Sequence, residues 1–329
     1  LALLYEKRGD YANARRISEQ AVNSNRATLG ELHPDYLTSL NNLAALYVDM
    51  GNYAQARTLY ERTLQVKQDV LGTRHPSYAT SLNNLAALYE TLGNLDRAER
   101  LLQLAVVTRR RYLGPRHRDY AISLGNLAGV YISQGQYGRA ASLLNESSQV
   151  LRNAVGTRHP AYAVNLSSLA RLYKQMGEYG RAEHYAVRAM QLAKSLFGER
   201  HRNYATSLNN LATLYQNAGN FERAEETYKQ ALEIREKEFG KEHPDYANSL
   251  HNLALFYDEM GDYDRAETLN HQAIKIREKV QGKEHPAYAT SLANQGALYE
   301  ERGDYTRAAE FYRQALENRN AIFDSRHPS

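Results

Sequence analysis

Eight histidines recur at one spacing: His33, His75, His117, His159, His201, His243, His285 and His327 stand 42 residues apart with no insertion or deletion. Imidazole binds metals and transfers protons near neutral pH, so a phased row raises both chemistries. The spacing argues against them. Equivalent positions of successive units lie at least one packed helix apart, roughly 8–10 Å, whereas the ligands of one zinc sit about 2.1 Å from a common ion. Each ring is therefore expected to bond backbone at a turn. His184, His251 and His271 fall outside the phase, with no nucleophile or ligand motif around them. The chain has no cysteine, which removes disulfides, thiolate nucleophiles and cysteine zinc sites. No phosphate-binding glycine loop, His-Glu-x-x-His or paired-carboxylate motif is present. The expectation is a non-catalytic chain with no cofactor and no metal.

The polar row with most recognition chemistry is Asn42, Asn84, Asn126, Asn210, Asn252 and Asn294, broken by Ser168. A carboxamide offers donor and acceptor together, which suits the main chain of an extended peptide. Asn41, Asn83, Asn209 and His251 precede that row by one residue. In the middle units Gly125, Gly129, Ser167, Ser168, Arg171 and Lys174 replace amide and methyl groups with space and positive charge, which would suit a carboxylate-bearing segment. The alternative is that each asparagine bonds only to the adjacent unit and holds the stack together. Arg97, Arg139, Arg181, Arg223, Arg265 and Arg307 read as a solvated face paired with Glu99, Glu183, Glu225 or Glu267. Arg109, Arg110 and Arg111 also read as surface.

The elements that carry these side chains follow from the same period. Leu40, Leu43, Ala44 and Tyr47 fall at i, i+3, i+4 and i+7, the pattern of a helix with one apolar face, over about residues 36 to 50. Gly51 ends it and Asn52 can cap the next helix, over about residues 53 to 71, with Ala56, Tyr60 and Leu64 on one face. Gly72 stops that helix. Thr73-Arg74-His75-Pro76 is the link, with proline suited to a first helical turn. Alanine holds one slot of the second helix at Ala14, Ala56, Ala98, Ala140, Ala182, Ala224, Ala266 and Ala308, which lets backbones approach. A single hairpin cannot bury its apolar stripe alone, so the units must stack as a solenoid.

Leu-Asn-Asn-Leu-Ala-Ala-Leu-Tyr at 40 to 47, followed by Gly-Asn-Tyr-Ala-Gln-Ala at 51 to 56, resembles the tetratricopeptide repeat (TPR). The 42-residue period with its Leu-Gly-x-x-His-Pro link resembles the kinesin-light-chain type. The resemblance implies an all-α fold, a right-handed superhelix of antiparallel helix pairs whose first helices line a concave groove. It also implies that the groove holds an extended or short helical peptide of a partner. On this reading residues 1–329 form a single solenoid of about eight repeats with incomplete ends, part of a larger multidomain protein. The partner would be a protein or peptide segment, in one version from the parent chain, and self-association through the uncapped ends is a further option. Similar arrays stand beside caspase-like protease or nucleotide-binding switch domains, so a regulatory arm of a larger enzyme or signalling protein is the alternative.

Composition fits these expectations. The 329 residues are 43% hydrophobic and 24% charged, and 41 basic against 37 acidic residues leave a net charge of +4. That charge is a weak argument for nucleic acid, which would call for a continuous basic surface with stacking aromatics. The groove slots are Asn, Thr and Ala with the acids Glu90, Asp258 and Glu300. No apolar run approaches the roughly 18 residues of a membrane helix, and a cytoplasmic location is expected.

Overall fold

The computed structural model describes residues 1–324, so His327 lies outside the described residues. Sixteen helices follow one another, and no strand occurs among the described residues. The first helices of the units are α1 (Ala2–Lys7), α3 (Pro34–Asp49), α5 (Pro76–Thr91), α7 (Arg118–Ser133), α9 (Pro160–Gln175), α11 (Arg202–Asn217), α13 (Pro244–Glu259) and α15 (Pro286–Glu301). The second helices are α2 (Tyr11–Leu29), α4 (Tyr53–Leu71), α6 (Leu95–Tyr112), α8 (Tyr137–Ala154), α10 (Tyr179–Phe197), α12 (Phe221–Phe239), α14 (Tyr263–Val280) and α16 (Tyr305–Asp324).

Two compact units draw on interleaved stretches of chain. Unit 1 comprises Leu1–Gln20, Ala45–Ala54 and Glu199–Ser329, and unit 2 comprises Ala21–Ala44 and Gln55–Gly198. Within unit 2, α5 packs on α6, α7 on α8 and α9 on α10, and α6 packs on α7 and α8 on α9. Unit 1 repeats the scheme with α11 to α16.

The phased residues make the joints. Gly93, at φ 73°, takes the left-handed conformation that ends α5, and its N–H bonds the Glu90 carbonyl at 3.0 Å. Asn94 then caps α6 through the Arg97 N–H. At each link the histidine is the cap of the next helix. Nδ1 of His75, His117, His159, His201, His243 and His285 accepts the backbone N–H two residues on, at 3.0–3.1 Å. This is the turn bonding expected of the row. No cluster of three or more metal-ligating side chains exists among the described residues.

The interior is narrow because alanines set it. Ala56, Ala98, Ala140, Ala182, Ala224 and Ala266 are fully buried, as are Ala44, Ala86, Ala128 and Ala212 opposite them. The tyrosine that follows each first-helix alanine is clasped at its rim. Tyr89 OH donates to Glu61 and lies under the Arg97 guanidinium, 5.4 Å from the ring centre. Tyr257 with Glu225 and Arg265, and Tyr299 with Glu267 and Arg307, repeat the arrangement. The arginine series is thus a set of cation–π lids as well as a charged face.

A second polar device joins one repeat to the next. Arg109, 5% exposed on α6, donates Nη1 to the Asp119 carbonyl at 2.9 Å and to Ser123 Oγ at 2.9 Å, and Nη2 to Thr80 Oγ1 at 3.0 Å. Arg235 bonds Asp245, Ser249 and Thr206 in the same way, and Arg277 bonds Ala287, Ser291 and Asn248. Each guanidinium therefore fastens three helices through neutral oxygens. Arg109 departs from the surface reading of the run Arg109-Arg110-Arg111. Three consecutive helical residues point about 100° apart, so one of them turns inward while Arg110 and Arg111 stay exposed. In the middle repeats the device is exchanged as a set: Leu151 and Ala193 stand in the arginine slot, and Ile122 and Val164 stand where Thr80 or Thr206 would supply the hydroxyl.

Candidate functional site

The paired amides of Leu-Asn-Asn-Leu part company on the helix. The second of each pair, the row Asn42, Asn84, Asn126, Asn210, Asn252 and Asn294, is exposed or half-exposed at every unit. The first turns inward. Asn83 is 6% exposed and donates Nδ2 to the Ala79 carbonyl at 2.8 Å and to Ser123 Oγ at 3.0 Å. Asn209 is equally buried. Asn41 is half-buried, with its Oδ1 shut away from solvent. His251 sits at the same slot, its pKa pushed down to about 4 by burial and by the Arg277 guanidinium. Asn83 and Asn209 are thus buried in the packing between repeats and do not line an open face, while His251 is half-buried. Neighbours in sequence lie about 100° apart around a helix, so only one of the pair can look outward.

The two rows touch. Asn126 Nδ2 donates to Asn83 Oδ1 at 3.1 Å, and Asn294 Nδ2 meets His251 Nε2 at 3.3 Å, each contact reaching the preceding repeat. The amides of Asn126 and Asn294 are thereby tied to the buried Asn83 and the half-buried His251 of the preceding repeat. At these two positions the amide bonds the adjacent repeat, the stack-holding role expected of the series.

In unit 2 the middle repeats depart from the pattern on α7 and α9. Gly129 stands where Ala45, Ala87 and Ala297 stand in other units, and a Cβ there would stand 3.0 Å from Arg171 Nη2 and 3.7 Å from Glu90 Oε1. The missing methyl is the space into which the guanidinium reaches. Burial raises the Glu90 pKa, and Arg171 opposes that rise. Lys174 is half-buried, and burial followed by the nearby Arg171 charge lowers its pKa. Two cations and one acid thus share a partly desolvated patch with net positive charge. Ser168, at the break in the asparagine row, and Val164, 66% exposed, border it along α9.

The arginine staple was missed in reading the sequence. Its signal was present, since Lys67, Arg109, Arg235, Arg277 and Arg319 recur in one phase and vary together with the residue 29 positions earlier. A run of three cations spreads around the helix circumference, which reads as a solvated surface and hides the one that turns inward.

The family model for the tetratricopeptide repeat matches residues 1–69, 39–107, 79–153, 119–195, 166–237, 203–279 and 245–321 in overlapping windows. Among solved structures, BtubC (BKLC) from P. vanneervenii is 26% identical, with a TM-score of 0.57 over 71% of this chain and 94% of that one. A Podospora anserina putative kinesin light chain with nearly identical TPR-like repeats is 28% identical, with a TM-score of 0.52 over 63% of this chain and 98% of that one. The Rap conjugation gene regulator of plasmid pLS20, solved in complex with the Phr* peptide, is 15% identical at a TM-score of 0.62, covering 88% of this chain and 74% of that one, and shows likeness of fold alone. No curated protein sequence matches the chain. Paired helices on a 42-residue period, capped by histidine and turned by glycine, together with family matches from residue 1 to residue 321, establish that the chain belongs to the tetratricopeptide-repeat family, with an all-α superhelix fold and kinesin-light-chain-like units.

Proposed function

We propose that residues 1–329 act as one solenoid, a non-catalytic protein-interaction scaffold that binds an extended or short helical peptide segment of a partner protein along its first helices. The observation that carries this reading is the outward row of asparagines, one per repeat in all but one of the units from Asn42 to Asn294. A peptide main chain presents alternating donors and acceptors, and each carboxamide can answer both. The Rap regulator of similar fold, solved with a bound peptide, lends support. A cytoplasmic setting accords with the described residues, among which no helix is long and apolar enough to cross a membrane.

Arg171 and Lys174 add a chemical preference. Their shared patch, opened by Gly129, suits a carboxylate from an Asp or Glu side chain or a chain terminus, because a partly desolvated anion between two cations interacts more strongly than one in bulk water. The test is a selection from a random peptide library on the wild-type chain, followed by anisotropy titration of the selected peptides. Asn84→Ala, Asn126→Ala and Asn210→Ala combined are expected to weaken binding at least about tenfold with unchanged helicity, a loss of one to two hydrogen bonds' worth of free energy. Unchanged affinity would remove the proposal. Arg171→Glu is expected to abolish the preference for acidic peptides; a selected pool with no acidic bias would exclude the carboxylate subsite.

A further inference from the structure

In unit 1 two links close on two turns far upstream. His243 Nε2 donates to the Lys7 carbonyl at 3.0 Å and His285 Nε2 donates to the Asp49 carbonyl at 3.0 Å, both across 236 positions. The direction is fixed by the caps: Nδ1 of each ring accepts an N–H, so the proton of the neutral imidazole is on Nε2. Beside these bonds, the Pro244 ring covers Gly9 and the Pro286 ring covers Gly51. A Cβ on Gly9 would stand 2.9 Å from Pro244 Cδ, and one on Gly51 would stand 2.5 Å from Pro286 Cδ. Gly9 and Gly51 are both buried. The Arg202 guanidinium at the neighbouring link also acts on the Asp49 carboxylate.

Other turns of unit 1 have the same shape and no cover. Gly219, Gly261 and Gly303 have φ of 75–77°, and a Cβ on any of them would meet nothing within 4 Å. Around Gly261 lies a hollow of about 440 Å³ lined by Met260, Asp262, Tyr263, Asp264 and Arg302. At the equivalent turn, Gly51 is where Pro286 rests. In unit 2 the links His117-Arg118 and His159-Pro160 are built like those that close the internal contact, with Nδ1 capping the helix at 3.1 Å and Nε2 left to donate.

We propose that the His117 and His159 links of one copy dock on the Gly219 and Gly261 turns of a second copy, a head-to-tail interface that reproduces the contact already made inside unit 1. The occupant is a second copy because it brings the same link, with the same spacing, that the covered turns accept. With the internal pairing reproduced, in which the bonded carbonyl lies two residues before the turn glycine, His117 donates to the Asn217 carbonyl and His159 to the Glu259 carbonyl. Pro160 then enters the hollow at Gly261. The same register brings Arg118 to Glu301, as Arg202 comes to Asp49 inside one chain. Link and turn are different surfaces, so each copy keeps one of each free and the association is open-ended.

The interface is independent of the peptide reading, and sedimentation velocity on the full chain tests it. Over about a hundredfold range of concentration around the micromolar affinities that modest interfaces reach, the wild type is expected to shift from monomer to dimers and longer species. His117→Asn with His159→Asn keeps a capping acceptor and removes the Nε2 donor, so this variant is expected to stay monomeric with unchanged melting. E301R and R118E each place like charges together and are expected to weaken association roughly tenfold, while mixing the two variants restores heterodimers. A wild type that remains monomeric, association indifferent to the histidine substitutions, or a mixture that fails to recover would each overturn the proposal.

Discussion

Neighbouring asparagines divide the buried packing from the row proposed for recognition. Asn83 is tied into the buried polar set with Ser123 and Arg109, whereas Asn84 is half-exposed one residue later. Asn83→Ala should therefore cost about 2 kcal/mol in urea denaturation, because it strands the partners of a buried amide. It should leave peptide affinity unchanged if the fold is intact. Asn84→Ala should change stability by less than about 0.5 kcal/mol and weaken binding several-fold. Equal effects of the two variants on either readout would contradict this division. The sequence placed both residues on the first helix, but their facing was not settled by the period, because the apolar stripe is broad and either amide can border it.

The joints between helices carry the two stability predictions. Arg235 is 5% exposed and bonds three oxygens on two other helices, so Arg235→Leu alone should destabilise by about 3 kcal/mol by stranding Ser249 and Thr206. Thr206→Ile added to it copies the apolar version that Ile122 and Leu151 already form, and should recover most of the loss. A double variant no more stable than the single one would refute the exchange. The histidine caps predict a pH effect. Burial holds the His285 pKa at about 4, below its ordinary 6.5. The unfolded chain therefore takes up the proton first, and the ring's contribution, complete above pH 6.5, is lost as pH falls toward 4. The melting-temperature difference between wild type and His285→Asn should shrink over that window, and a constant difference would exclude the ring as its source. Helix bounds, glycine turns and histidine links were legible in the period to within two residues at α3 and α4. The staple was hidden because its partners lie 10, 14 and 29 residues away on other helices.

For the whole molecule, repetition sets what kind of partner fits. A net charge of +4 over 329 residues, with Glu90, Asp258 and Glu300 among the first-helix residues, gives no continuous basic track. A labelled single-stranded RNA should show no retention at physiological salt, where non-specific contacts are weak. Retention that falls steeply with salt would reopen that class. The contacts of His243 with Lys7 and His285 with Asp49 span 236 positions and could not be read from local pattern, since they depend on how many repeats intervene before a link meets a turn.

The central claim is that a row of carboxamides grips main chain, and the direct measurement is the affinity of one selected peptide against its singly N-methylated analogues. The account predicts losses of about tenfold or more at successive positions that lie over the row, each loss absent in the Asn84→Ala, Asn126→Ala, Asn210→Ala variant. Analogues that bind the wild-type chain as well as the parent peptide would show that the row does not hold a backbone, and would contradict the account.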